Sequence, residues 1–242
     1  MPLFKFRAVR AAIAGLMTLI ACSVGWATTL VLTTHDLPPY SLQRADGSAD
    51  GIAVQVVLCA ARAIKQDVRI EFYPWKRAQQ LVEKGEADGF FAASRSQARD
   101  AYATLTEVIA PQQWVWYQKV NHPLQPLTPE FKKRAITASF LGANMQDWLV
   151  EQGYQVTAPP RLNSMLLDML RHGRIDAILA NRLVMEKLLQ DEPTPFQVRS
   201  MLALDKPLGI YLANRFLATQ APNYLARFNA AIQRCTSQLQ VK

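Results

Sequence analysis

Arg99 is a side chain whose type could hold a small anion. A guanidinium offers a planar fork of donors that fits the two oxygens of a carboxylate better than an ammonium does. It closes the step Ser94-Arg95-Ser96-Gln97-Ala98-Arg99, directly after the apolar run 87–93. The turn Arg95-Ser96-Gln97 can offer N–H donors to the same anion. The plainer uses are a surface ion pair of Arg99 with Asp100 or Glu107 and a helix cap at Ser94. Tyr40 follows Pro38-Pro39 and Trp75 follows Pro74. Both stand where a strand gives way to a helix, so they suit the wall of a binding cleft as well as a core. Gly142-Ala143-Asn144 precedes a helix start, whose free N–H groups and dipole can seat a carboxylate. A tight turn capped by Asn144 is the alternative. Asn181 follows Ile178-Leu179-Ala180, and its amide can accept from an ammonium without supplying charge. The sequence has no CxxC, no Cys/His cluster, no G-x-S-x-G and no paired-carboxylate signal. It therefore offers no ligand set for zinc or haem and no catalytic constellation, and no cofactor or metal is expected.

The elements that must position these residues follow from periodicity. Leu30–Thr34 is rich in β-formers, and Val68–Phe72 alternates as a strand does. Between them Ile52, Val56, Val57, Ala60 and Ile64 fall at helical spacing. Pro74 opens a second helix that runs to Lys84 and stops at Gly85. An apolar strand comes next, headed by Asp88. Residues 115–120 are extended, and the proline-dense stretch 122–129 marks a boundary. The pattern then restarts with strands at 135–140, 154–158 and 175–180 and helices at 144–152 and 163–171. A strand at 210–213 and a helix at 222–239 close the chain. Leu81-Val82-Glu83-Lys84-Gly85-Glu86-Ala87-Asp88 is echoed by Leu170-Arg171-His172-Gly173-Arg174-Ile175-Asp176: a helix end, a glycine stop, then an aspartate heading an apolar strand. Alternating strands and helices predict an α/β chain with mainly parallel sheets. The echo predicts two similar lobes with the ligand between them, beyond the strand ends.

The 242 residues carry 27 Lys plus Arg against 19 Asp plus Glu, a formal charge of +8. Lys5, Arg7 and Arg10 lie in the first 27 residues, which hold no acid. The remaining excess is scattered, without the basic face of a nucleic-acid binder. The basic start, the apolar run 11–21 and the small-x-small exit Gly25-Trp26-Ala27 read as an export signal cut after Ala27. Leu19-Ile20-Ala21-Cys22 offers the competing reading of a lipoprotein anchored through Cys22. Cys59 and Cys235 are the other cysteines; in an exported chain they either form a disulfide or remain two buried thiols.

This order of signals resembles the family 3 periplasmic solute-binding proteins, the polar amino-acid-binding type. The marks are Leu37-Pro38-Pro39-Tyr40, Asp46-Gly47, Gly51-Ile52-Ala53-Val54, Pro74-Trp75, Gly85-x-x-Asp88, Ser96-Gln97-Ala98-Arg99 and Gly173-Arg174-Ile175-Asp176-Ala177. The resemblance implies a type II periplasmic-binding-protein-like α/β fold, two lobes joined by two hinge strands. The chain divides as a signal peptide 1–27, a first lobe 28–118, a second lobe 119–209 and a return to the first lobe at 210–242. It implies a periplasmic monomer, not an enzyme, that closes on a small polar solute and delivers it to an inner-membrane ABC permease. By the same resemblance Arg99 and Ser94 grip the ligand carboxylate, and Tyr40 and Trp75 wall its body. Gly142 and Asn144 approach from the second lobe. Asn181 stands where many members place an aspartate for the ligand's ammonium. The other readings are a stand-alone periplasmic sensor module and an enzyme resembling cyclohexadienyl dehydratases.

Overall fold

The computed structural model describes residues 29–239. The expected export segment, with Cys22 and Ala27, lies outside the described residues. The first part of the chain forms β1 (Leu30–Thr34), β2 (Leu42–Gln43), β3 (Ala49–Asp50), α1 (Ile52–Ala63), β4 (Val68–Phe72), α2 (Trp75–Lys84), β5 (Gly89–Ser94), α3 (Gln97–Asp100) and β6 (Ala103–Leu105). The middle supplies β7 (Gln113–Lys119), α4 (Pro129–Arg134), β8 (Ile136–Ala138), α5 (Asn144–Glu151), β9 (Gln155–Val156), α6 (Asn163–Arg171), β10 (Ala177–Asn181), α7 (Arg182–Asp191) and β11 (Val198–Asp205). The last elements are β12 (Leu208–Ala213), α8 (Asn214–Thr219) and α9 (Tyr224–Gln238).

Two five-stranded sheets result, ordered β4-β1-β5-β12-β6 and β11-β7-β10-β8-β9. In the first, β4, β1 and β5 run parallel and β12 antiparallel to them; in the second, β10, β8 and β9 run parallel and β7 runs antiparallel to both its neighbours, β10 and β11. Each sheet is the floor of one lobe, as expected of the type II periplasmic-binding-protein fold. The chain crosses between lobes twice, after β6 and after β11. The crossings pair with each other: Lys206 N donates to Gln112 O and Leu208 N to Ala110 O, at 2.8 and 2.9 Å. The expected divisions at 118/119 and 209/210 fall inside β7 and β12. Gln113–Lys119 hydrogen-bonds into the second sheet and Leu208–Ala213 into the first. Strand pairing, not the proline-dense stretch, decides where a lobe ends.

Local chemistry explains the frame. Gly51 precedes α1 with φ +119°, and a Cβ there would lie 2.5 Å from the Tyr40 carbonyl oxygen, so only glycine fits. α1 buries Val54, Val57 and Ala61, one apolar stripe, and packs on α9. The Cys59–Cys235 disulfide links these two helices, with Cα atoms 6.0 Å apart, so the two cysteines are bridged. The aspartate echo has a structural use. Asp88 accepts from Val31 N at the start of β1, and Asp176 accepts from Ile136 N at the start of β8. Each lobe thus ties the start of one parallel strand to the head of its neighbour by a charge-assisted hydrogen bond.

Candidate ligand-binding cleft

Arg99 is delivered to the cleft by β5, a strand buried along its whole length. Against β12 its register slips by one residue, and Ala92 in that bulge has φ +60°. A bulge bends a strand and re-aims the residues beyond it. Here Ser94 ends the strand in the interlobe space, and α3 returns Arg99 over it. Arg99 is 5% exposed. Its Nε donates to Gln79 Oε1 at 2.9 Å, Nη1 to Ser94 O at 2.9 Å and Nη2 to Gly142 O at 3.3 Å. The Trp75 and Phe90 ring centres lie 5.2 and 5.9 Å from its Cζ. Among the described residues no carboxylate forms an ion pair with it. Burial pulls its pKa down to about 10 against the upward pull of Tyr102, Tyr211 and Asp147. Asp100, its neighbour in sequence, holds Arg95 and the Tyr211 hydroxyl instead.

The second lobe answers with backbone and amide. Gly142 has φ +79°, and a Cβ there would sit 3.4 Å from Trp75 and Lys76 of α2. Its carbonyl accepts from Arg99 and, at 3.2 Å, from Gln79 Nε2. Asn144 is the first residue of α5 and not its cap; Ala143 holds that position. The Asn144 amide donates across the cleft to Ser94 O, Ser94 Oγ and Arg95 O at 2.9, 3.1 and 3.1 Å. Asn181 Oδ1 caps α7 by accepting from Leu183 N and Val184 N. Its Nδ2 is buried beside the Tyr40 hydroxyl and closes no hydrogen bond of normal geometry.

Trp75, Ser94, Arg99, Asn144 and Asn181 therefore line one inner chamber of about 40 Å³, with the Gly142 carbonyl at its edge. Tyr40 does not line it. That side chain is wholly buried, and its hydroxyl donates to Pro111 O in the first crossing at 2.8 Å. Burial pushes the hydroxyl pKa up to about 12. Tyr40 is tied to the first interlobe crossing, and Leu37 lines the chamber. The aromatic and polar surface that sequence reasoning missed comes from His35, Gln112, Trp114, Phe140 and Asn163. His35 lies between two rings, 4.4 Å from Trp75 of the first lobe and 5.6 Å from Phe140 of the second. Its Nδ1 is buried without a partner, and burial, then the Arg99 charge, lowers its pKa to about 3. The signal in the sequence was a histidine placed directly between a β-rich run and Leu37-Pro38-Pro39. Past His35 the space widens into an outer groove of about 780 Å³, which shares His35, Trp75, Phe140 and Asn163 with the chamber. Among the described residues no group of three or more His, Cys, Asp or Glu side chains is placed to hold a metal ion.

Comparison with known proteins agrees with this architecture. The profile of the bacterial extracellular solute-binding proteins, family 3, matches residues 30–240. A histidine kinase sensor domain with similarity to periplasmic binding proteins superposes with a TM-score of 0.73 at 17% identity, covering 88% of this chain and 93% of that one. The GluR0 ligand-binding core from Nostoc punctiforme, in complex with L-glutamate, gives 0.71 at 15% identity over 87% and 95%. A periplasmic His/Glu/Gln/Arg/opine family-binding protein from Silicibacter pomeroyi, in complex with lysine, gives 0.70 at 16% over 88% and 93%. No curated protein sequence matches the chain. The chain belongs to the bacterial extracellular solute-binding proteins, family 3.

Proposed function

We propose that this protein captures a small carboxylate-bearing solute between its lobes in the periplasm and delivers it to an ABC permease of the inner membrane. One observation carries the reading: the chamber contains a single cation, Arg99, and no carboxylate lines it. A guanidinium this buried without a counter-ion favours an anion strongly, because its own hydration has been lost. Three of its five N–H groups are engaged, which leaves two for a ligand carboxylate. Glutamate and lysine bound in the two superposed proteins favour an amino acid or a relative of one. Asn181 narrows that choice. It brings no negative charge, and its Oδ1 is used by α7, so an α-ammonium finds no ion partner in the chamber. The ligand is held chiefly by its carboxylate. Contacts from both lobes exist only in the closed form, so binding shifts the open–closed population.

The test is calorimetric titration of wild type and Arg99→Ala with matched carboxylates and carboxamides, with thermal melting to follow the fold. Loss of the charge-assisted contact costs about 1.5–3 kcal/mol, roughly ten- to a hundredfold in Kd. Wild-type protein preferring the carboxylate, with the preference gone in the variant, supports the reading. Equal affinity of both proteins for both ligands refutes it.

A further inference from the structure

The inner chamber is small for a whole solute. About 40 Å³ corresponds to roughly three water-sized spheres, the scale of a carboxylate head. The outer groove of about 780 Å³ is ligand-sized by the usual range of such sites. The two spaces meet at the neck formed by Trp75, His35 and Phe140. Tyr73 and Phe72 wall the groove from the first lobe, and Leu141, Leu162 and Met165 from the second. Leu162 and Met165 are 60% and 45% exposed and stand together on one wall of the groove, where their apolar surface is open to a ligand. Lys76, Arg77 and Arg161 stand at the groove against one acid, Asp36; Arg77 also lies 3.4 Å from Glu86. The groove is thus apolar along its walls and cationic in balance, and it is continuous with the seat of the buried guanidinium.

We infer that the ligand is an elongated organic anion, a carboxylate joined to an aliphatic or aromatic body, with its head at Arg99 and its body lying in the groove past His35. This rests on the carboxylate reading of the proposed function and adds a chemical class to it. The head fills the chamber, the Trp75–Phe140 neck clasps the first part of the body, and closure brings Leu162 and Met165 over the rest. The surrounding cations draw anions toward the mouth.

The experiment is a calorimetric series of N-acylglycines from acetyl to decanoyl, with decanoylglycinamide as the neutral partner. It is run on wild type, Arg99→Ala and the double variant Leu162→Asp, Met165→Asp. Those two positions are surface-exposed, and melting curves establish that each variant is folded. Affinity in wild type rises about fourfold per methylene until the groove is full, and the double variant loses most of that gradient. A flat series, or a gradient that the double variant leaves intact, overturns the groove proposal. In that case a carboxylate preference abolished by Arg99→Ala leaves the parent reading standing. Equal binding of decanoylglycine and its amide overturns the parent reading, and failure of every member to bind overturns both.

Discussion

Around Arg99 the cleft holds one cation, no carboxylate and about 40 Å³ of space; beyond His35 it widens to about 780 Å³ walled by Tyr73, Leu141, Leu162 and Met165. The first region is built from buried groups with fixed partners: Arg99 on Ser94 and Gln79, Asn144 on Ser94 and Arg95. The second is built from side chains that touch solvent. An enclosed polar chamber discriminates by charge, because an unmatched ion there finds no water to replace a missing partner. An open apolar groove discriminates by area, gradually and with tolerance of shape. One cleft therefore reads a ligand in two ways.

His35 forms the wall between the two regions, and acid is the sharpest way to disturb it. Its folded pKa of about 3 lies below the unfolded value near 6.5. The unfolded chain then binds the extra proton between those limits, so this contribution is complete above about pH 6.5 and is lost progressively as pH falls toward 3. The loss is on the order of 5 kcal/mol at most. Asp36, whose carboxyl is pushed up by burial, acts in the opposite sense, so the comparison must be between variants. Melting profiles of wild type should fall more steeply on acidification than those of His35→Phe. Parallel profiles would show that the ring is not held neutral by its surroundings.

Asn144→Ala gives the next largest effect. It removes three hydrogen bonds that cross the cleft and costs about 1–3 kcal/mol of closed state. Because it acts on closure and not on either region alone, short and long ligands should weaken by the same factor. Small-angle scattering of the ligand-free variant should show a larger radius of gyration than wild type. An unchanged radius together with unchanged affinities would mean that the Asn144 contacts do not hold the lobes.

The lobes were largely legible in the sequence. Residues 30–34, 68–72 and 163–171 are strand, strand and helix with the bounds their periodicity predicts. The aspartate echo anticipated two similar sheets. The extended runs of β7 and β12 were legible, but β11 was not, for it carries no clean alternation, and the place of β7 in the second sheet rests on pairings more than 60 residues away, at Ile178↔Tyr117. The site divided in the same way. Arg99, Ser94 and Asn144 were visible because their polar types at element ends are costly unless used. Tyr40 and Leu37 exchanged places because which side chain of Leu37-Pro38-Pro39-Tyr40 turns inward depends on the path of the loop. Trp114 lay just outside the extended run read at 115–120; it stands in β7 directly after the first interlobe crossing and lines the chamber with Arg99. The groove was illegible, since Leu162 and Met165 are set beside Tyr73 solely by lobe closure.

The central claim is tested most directly by a crystal structure of the protein with the solute that native mass spectrometry finds on it after export. The account predicts a ligand carboxylate within hydrogen-bond distance of the Arg99 guanidinium, the rest of the molecule running past His35 toward Leu162. It is contradicted if Arg99 keeps only Gln79, Ser94 and Gly142 as partners while the ligand's charged group lies elsewhere.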